Sequence, residues 1–166
     1  KKQSRVKTSL NARVTNEERR IAREWTGFNE ESLIKNGNVL ISIPCSHDEY
    51  NVLSGCLKIV RPGTDICTAK GNNYLPAHDI AMSVYFNQHS FASVDLDHMG
   101  GFAYLHRDPI PVHDSEKGWN VVKYEGVPLG FINNLGNRIN NYYPVGRRIR
   151  MENSRLLSAN ILKWEQ

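Results

Sequence analysis

An α+β fold is expected for this chain: an N-terminal α/β subdomain, then a small strand-rich unit closing as a β-barrel. Three observations carry the α+β expectation. Short β-branched runs such as NVLISIP (residues 38–44) are separated by Gly-containing turns. Two stretches, TNEE at 15–18 and SHDE at 46–49, look like helix starts, each with a capping hydroxyl and acidic residues after it. Beyond Gly118 the sequence up to Met151 reads as strand and turn throughout.

Taken in order, residues 1–14 form a basic arm with five Lys or Arg up to Arg13 and no acid, and no apolar period that would fold them. TNEERRIAREWTGF is a helix with Thr15 or Asn16 as N-cap. Ile21 and Trp25, four apart, share its buried stripe, and Gly27 stops it. NEESLIKNG reads as a second helical turn ending at Gly37, and NVLISIP as a strand ended by Pro44. A helix follows, capped by Ser46 with Glu49 three residues on. LKIVRPG reads as a strand, and TDICTAKGNNYLP as a hairpin about Gly71-Asn72. PAHDIAMSVYFNQ is expected to be helical from Pro76, with Ile80 and Val84 facing the core. This α/β subdomain is expected to span 15–90.

A second unit is expected over 91–152. FASVDL is extended, and DHMGGFAYLHRD is a helix started by Asp95 or Asp97. Strands turn at Glu125-Gly126 and Gly136-Asn137, with Val121, Val122, Leu129, Phe131, Leu135 and Ile139 as their apolar positions. Residues 153–166 form a tail that Leu156, Leu157, Ile161 and Trp164 could dock.

Composition excludes several classes of function. No apolar run approaches the roughly 20 residues that span a bilayer, and no secretory leader pattern is present. No membrane association and a cytoplasmic location are expected. The chain opens on Lys1 rather than methionine, so a piece of a longer protein is expected. Cys45, Cys56 and Cys67 form no CxxC pair and have no histidine at zinc-finger spacing, so they read as reduced thiols without a metal. His78 with Asp79, or Asp95 and Asp97 with His98, lack the spacing of a metal motif. Cys45 beside His47 invites a thiol-enzyme reading, but catalytic pairs meet from distant segments, and a packed Cys before a capping Ser46 is the favoured reading. No phosphate-cradling glycine loop occurs, so no cofactor is expected in this chain.

The charge pattern is more informative. The net charge is +4, yet residues 117–150 hold Lys117, Lys123, Arg138, Arg147, Arg148 and Arg150 against the single acid Glu125. Clustered cations attract phosphate without reading sequence. In LGFINNLGNRINNYYPVGRRIRM (129–151) they are interleaved with aromatic rings and asparagines. A ring can stack on an unpaired base, an amide can read a base edge, and a guanidinium can grip a phosphate. Strand alternation allows only one of Tyr142 and Tyr143 to face outward. It also puts Arg148 and Arg150 opposite Arg147.

The order of motifs in this region is distinctive. GGFAYLHRDPIPV and Gly118-Trp119 are followed by Gly-x-Pro-Leu-Gly-Phe at 126–131, then by Gly-Asn-Arg…Asn-Tyr-Tyr-Pro at 136–144. This order resembles the C-terminal end of RsmF-type ribosomal RNA cytosine-C5 methyltransferases of the Sun superfamily. LKIVRPGTDICTAKGNNYLPAHDIAMS resembles the region before that end. The resemblance implies a PUA-like RNA-binding domain and an accessory region beside it. It also implies a partner, the protein's own N-terminal methyltransferase domain, which would use S-adenosylmethionine and lie outside this chain. IPCS lacks the Asp and Gly that flank the family's active-site Pro-Cys, so no catalytic residue is carried over. The chain differs at Asn133 and Val145, where the family often carries lysine, and at Asn140, where it sometimes does.

The expected function is therefore binding of RNA, ribosomal by the resemblance, so as to position it for that catalytic domain. The chain itself is not expected to be an enzyme. Candidate RNA contacts are Lys123, Asn133, Asn137, Arg138, Asn140, Tyr142, Arg147, Arg148 and Arg150. The alternative is a protein–protein docking module, with the Trp164 tail as its contact surface.

Overall fold

The computed structural model describes residues 13–110 and 115–151. The chain divides into two compact units between Ala92 and Ser93. The expected arm and tail docking lie outside the described residues.

The first unit opens with helix α1 (Asn16–Trp25). Its N-cap is Thr15, which accepts from the Glu18 backbone N–H, while the Glu18 carboxylate accepts from the Thr15 N–H at 2.8 Å. This reciprocal pair satisfies two otherwise orphaned donors. Ile21, Ala22 and Trp25 are buried, as the spacing requires. Glu18 is buried too, at 2% exposure, and is paired with Lys35 Nζ at 2.6 Å. The helix ends at Thr26, whose backbone is already extended, one residue before Gly27.

Four antiparallel strands make the sheet of this unit, in the order β1 (Leu33–Asn36), β2 (Val39–Ser42), β3 (Thr64–Lys70) and β4 (Asn73–Pro76). Helix α2 (His47–Cys56) is inserted between β2 and β3, with the Ser46–Glu49 capping box intact. Ile34, Ile41, Ile43 and Tyr50 form a buried cluster joining β1, β2 and α2.

Three expectations fail in this unit. NEESLIKNG is helical only at Glu30–Ser32, because Leu33 to Asn36 pair with β2. LKIVRPG is not a strand: among the described residues no strand pairs with it, and Val60 is 92% exposed. Gly63 instead brings the chain so close to β2 that a Cβ there would stand 2.0 Å from the Ser42 carbonyl oxygen. The helix from Pro76 shrinks to α3 (His78–Ala81), since Pro76 belongs to β4 and Ala77 provides no side-chain cap. Ile80 is buried as expected, but Val84 is exposed.

The second unit builds a four-stranded sheet in the order β5 (Ala92–Leu96), β6 (Gly118–Tyr124), β7 (Val127–Asn134) and β8 (Ile139–Asn141). Helix α4 (His98–His106) follows β5 and is capped by Asp97 Oδ1, which accepts from the Gly100 N–H at 2.7 Å. β6 and β7 meet through a two-residue turn in which Glu125 and Gly126 both take positive φ, the geometry that matches strand twist. Val122 pairs with Gly130 and Lys123 with Pro128, which leaves Leu129 as an extra, unpaired residue in β7.

Val94, Tyr104, Val122 and Ile132 form the cluster between α4 and the sheet. The Tyr104 hydroxyl donates to the Phe131 carbonyl at 3.2 Å, and its burial holds the phenol well above the usual tyrosine range. Leu135, expected in the core, is exposed in the β7–β8 turn.

Candidate nucleic-acid interface

Register decides which candidate side chains share a face. Trp119 stands opposite Asn133, and Asn133 opposite Asn140, so the three form one row across β6, β7 and β8. Alternation along β6 places Lys123 on that same face, away from α4. The face is not bare, since Val121 and Phe131 on it are fully buried. Tyr142 joins the row from beyond β8. Its N–H bonds the Phe131 carbonyl at 3.1 Å, and its ring meets Trp119 at a centroid distance of 4.5 Å, tilted by 65°. Tyr143 turns the other way, into the core and against Tyr104 at 5.5 Å.

The asparagines divide into two groups. Asn120 bonds Glu116 and Gly118, Asn134 bonds Ser115 and Gly136, and Asn141 bonds the Tyr104 carbonyl and the Tyr143 N–H. Asn120 and Asn134 hold loops to strands, and Asn141 ties β8 to α4. Asn133, Asn137 and Asn140 make no side-chain hydrogen bond among the described residues, which leaves their amides available to a ligand.

The arginines are arranged differently from the strand expected for them. Pro144 cannot donate to a ladder, and Val145–Arg147 closes into a 3-10 turn. Arg147, Arg148 and Arg150 are therefore all exposed, rather than split between two faces. The segment is held to α4 by the Ile149 N–H bonding the Leu105 carbonyl at 3.1 Å. Arg138 is exposed with Asn137 in the β7–β8 turn. Among the described residues, Arg138, Arg148 and Arg150 pair with no carboxylate. The arginines of α1 contrast with them. Arg20 is tied to Glu17 at 2.7 Å and to Glu24 at 3.2 Å, and Arg23 to Glu30.

The structure thus brings Lys123, Asn133, Asn140 and Tyr142 to one face. Asn137 and Arg138 sit in a turn, and Arg147, Arg148 and Arg150 lie in the segment beside the end of α4. Sequence reasoning missed Trp119, whose opposition to Asn133 is a matter of register. It also missed Arg107 and Asp108, which lie more than 30 residues from Tyr142 in the chain. Arg107 takes a left-handed conformation that ends α4, and its guanidinium donates to the Tyr143 carbonyl. Together with β8 these residues border an open groove of about 680 Å³.

A second hollow, of about 1130 Å³, lies in the first unit and includes Cys45 and His47 in its lining. His47 Nε2 faces the Leu33 carbonyl at 3.1 Å. Cys67 is buried, and burial pushes its thiol up to about 12. Among the described residues no group of three His, Cys, Asp or Glu could hold a metal ion, and no helix is long and apolar enough to cross a membrane. Asp97 is occupied with capping α4, and Asp79 with Arg61.

Residues 92–149 match the family described as the methyltransferase RsmF PUA domain. The match covers β5 to β8 and α4, so this segment is an RsmF-type PUA-like domain. Such a domain points to an RNA-binding role in a methyltransferase. No curated protein matches the chain.

Proposed function

We propose that the chain is the RNA-recognising part of a ribosomal RNA cytosine-C5 methyltransferase. In this reading the second unit holds the RNA, and the first is an accessory subdomain. The RNA is positioned for an S-adenosylmethionine-dependent domain carried elsewhere in the parent protein. The observation that carries the reading is the coincidence, within the matched segment, of guanidiniums on Arg138 and Arg148 that pair with no carboxylate among the described residues, with Arg150 just beyond its end, and of available amides and an exposed ring. Such a surface grips phosphates and leaves base-reading groups beside them.

The test is anisotropy titration of the whole chain with a labelled ribosomal RNA fragment at several salt concentrations. Micromolar or tighter binding at about 50 mM salt, weakening as salt rises, is expected. No binding at that salt would overturn the reading. A catalytic domain that methylates the RNA equally well without this chain would overturn the positioning role alone.

One observation favours the docking alternative. Helix α2 buries only Tyr50 and exposes Val52 and Leu53, with Leu57 and Val60 exposed just beyond it. The tail residue Trp164, expected as the contact, lies outside the described residues.

A further inference from the structure

We infer that the groove along β8 takes a single unpaired base, and that Asp108 makes it favour a base carrying an exocyclic amino group. The inference rests on the RNA-binding reading above and narrows it to one class of ligand.

Three groups border the groove with chemistry to offer: Tyr142, Asn140 and Asp108. Tyr142 is 37% exposed and is backed by Trp119, so its ring is held in place and still open to stacking. Asn140 lies beside it with an amide that is not engaged among the described residues. Asp108, which also lines the groove, has a half-exposed carboxylate with Oδ2 2.9 Å from His106 Nδ1. That separation permits a charge contact when the imidazole is protonated, but the direction is wrong for a hydrogen bond.

The carboxylate determines what the groove can hold. It repels a phosphate but accepts hydrogen bonds, as carboxylates do from the amino group of cytosine. Arg107 also lines the groove, and part of its guanidinium is engaged by the Tyr143 carbonyl. The groove therefore suits a base, and the exposed arginines elsewhere in the unit suit the backbone. A base in a duplex is stacked and paired, and could not enter.

Cytosine and uracil differ at this edge by an amino group in place of a carbonyl, and neither C12 nor U12 pairs with itself at neutral pH. The experiment is anisotropy of the whole chain with labelled C12, U12 and a fully paired hairpin whose loop is a non-nucleotide linker. C12 is expected to bind about tenfold more tightly than U12, the low end for one hydrogen bond to a charged acceptor. Tyr142→Ala should weaken both single strands about tenfold and leave the hairpin unchanged, while Tyr142→Phe should keep full binding. Asp108→Ala should erase the preference without weakening U12, and its retained U12 binding shows that the variant is folded.

Equal affinity of the wild type for C12 and U12 overturns the inference, as does a preference that survives Asp108→Ala. So does a Tyr142→Ala loss as large on the hairpin as on the single strands. In each of these cases RNA still binds, so the reading above stands. Only failure to bind any of the three RNAs removes both.

Discussion

Arg148 and Arg150 offer the sharpest test of how the surface works. Both are exposed, and neither is paired with a carboxylate among the described residues. Each guanidinium that neutralises a phosphate of single-stranded RNA contributes about 0.7 to the slope of log affinity against log salt. Replacing both with alanine should therefore reduce the slope by about 1.4. Between 50 and 200 mM salt, a fourfold change, the binding deficit of the variant should then shrink roughly sevenfold. Anisotropy titrations at four salt concentrations would measure it.

Two controls separate charge from folding. Arg148→Lys with Arg150→Lys keeps the charges and should largely keep the slope. Arg20→Ala removes a guanidinium already tied to Glu17 and Glu24, and should leave both slope and affinity unchanged. If the double alanine variant lost affinity by the same factor at every salt, these arginines would not be neutralising phosphates. If it lost no affinity, they would not touch the RNA at all.

Two further outcomes concern stability. Lys35→Met strands the buried Glu18 carboxylate and should cost about 3 kcal/mol, the low end for a broken buried pair because Lys35 is 17% exposed; Trp fluorescence during urea unfolding would show it. Burial pushes the Glu18 carboxyl upward, but the hydrogen bonds from Lys35 and Thr15 outweigh it and hold the group below its usual range. Its stabilising contribution is therefore present above the unfolded carboxyl value and lost as pH falls through the depressed folded one, a loss that should be blunted in Lys35→Met. Gly63→Ala should destabilise by at least about 2 kcal/mol, because the Ser42 backbone it meets cannot yield. Gly55→Ala, in α2 with open space around it, should stabilise by about 0.5–1 kcal/mol in the same assay.

The parts legible in advance were those governed by local chemistry. The Ser46–Glu49 capping box is placed correctly and the start of α1 is narrowed to Thr15 or Asn16, because a cap is decided within four residues. The Glu125-Gly126 turn is equally local. Segments whose structure depends on a partner were misread. LKIVRPG has the composition of a strand but finds no strand to pair with among the described residues. The helix from Pro76 is cut short because β3 claims Pro76 as a strand residue. For the site, the one-out, one-in placement of Tyr142 and Tyr143 follows from alternation, whereas Trp119 and Asp108 reach Tyr142 only through tertiary structure.

The extra residue in β7 governs how this domain tolerates loss of chain. Deleting Leu129 would leave Val122 opposite Gly130 and Lys123 opposite Pro128, with every other cross-strand partner retained. Deleting a neighbour such as Ile132 would instead swap inside for outside along the rest of the strand, turning the Asn133 amide toward α4. A one-codon excision is thus survivable at a single place in this strand, and shortening by descent would be expected to leave its mark there first.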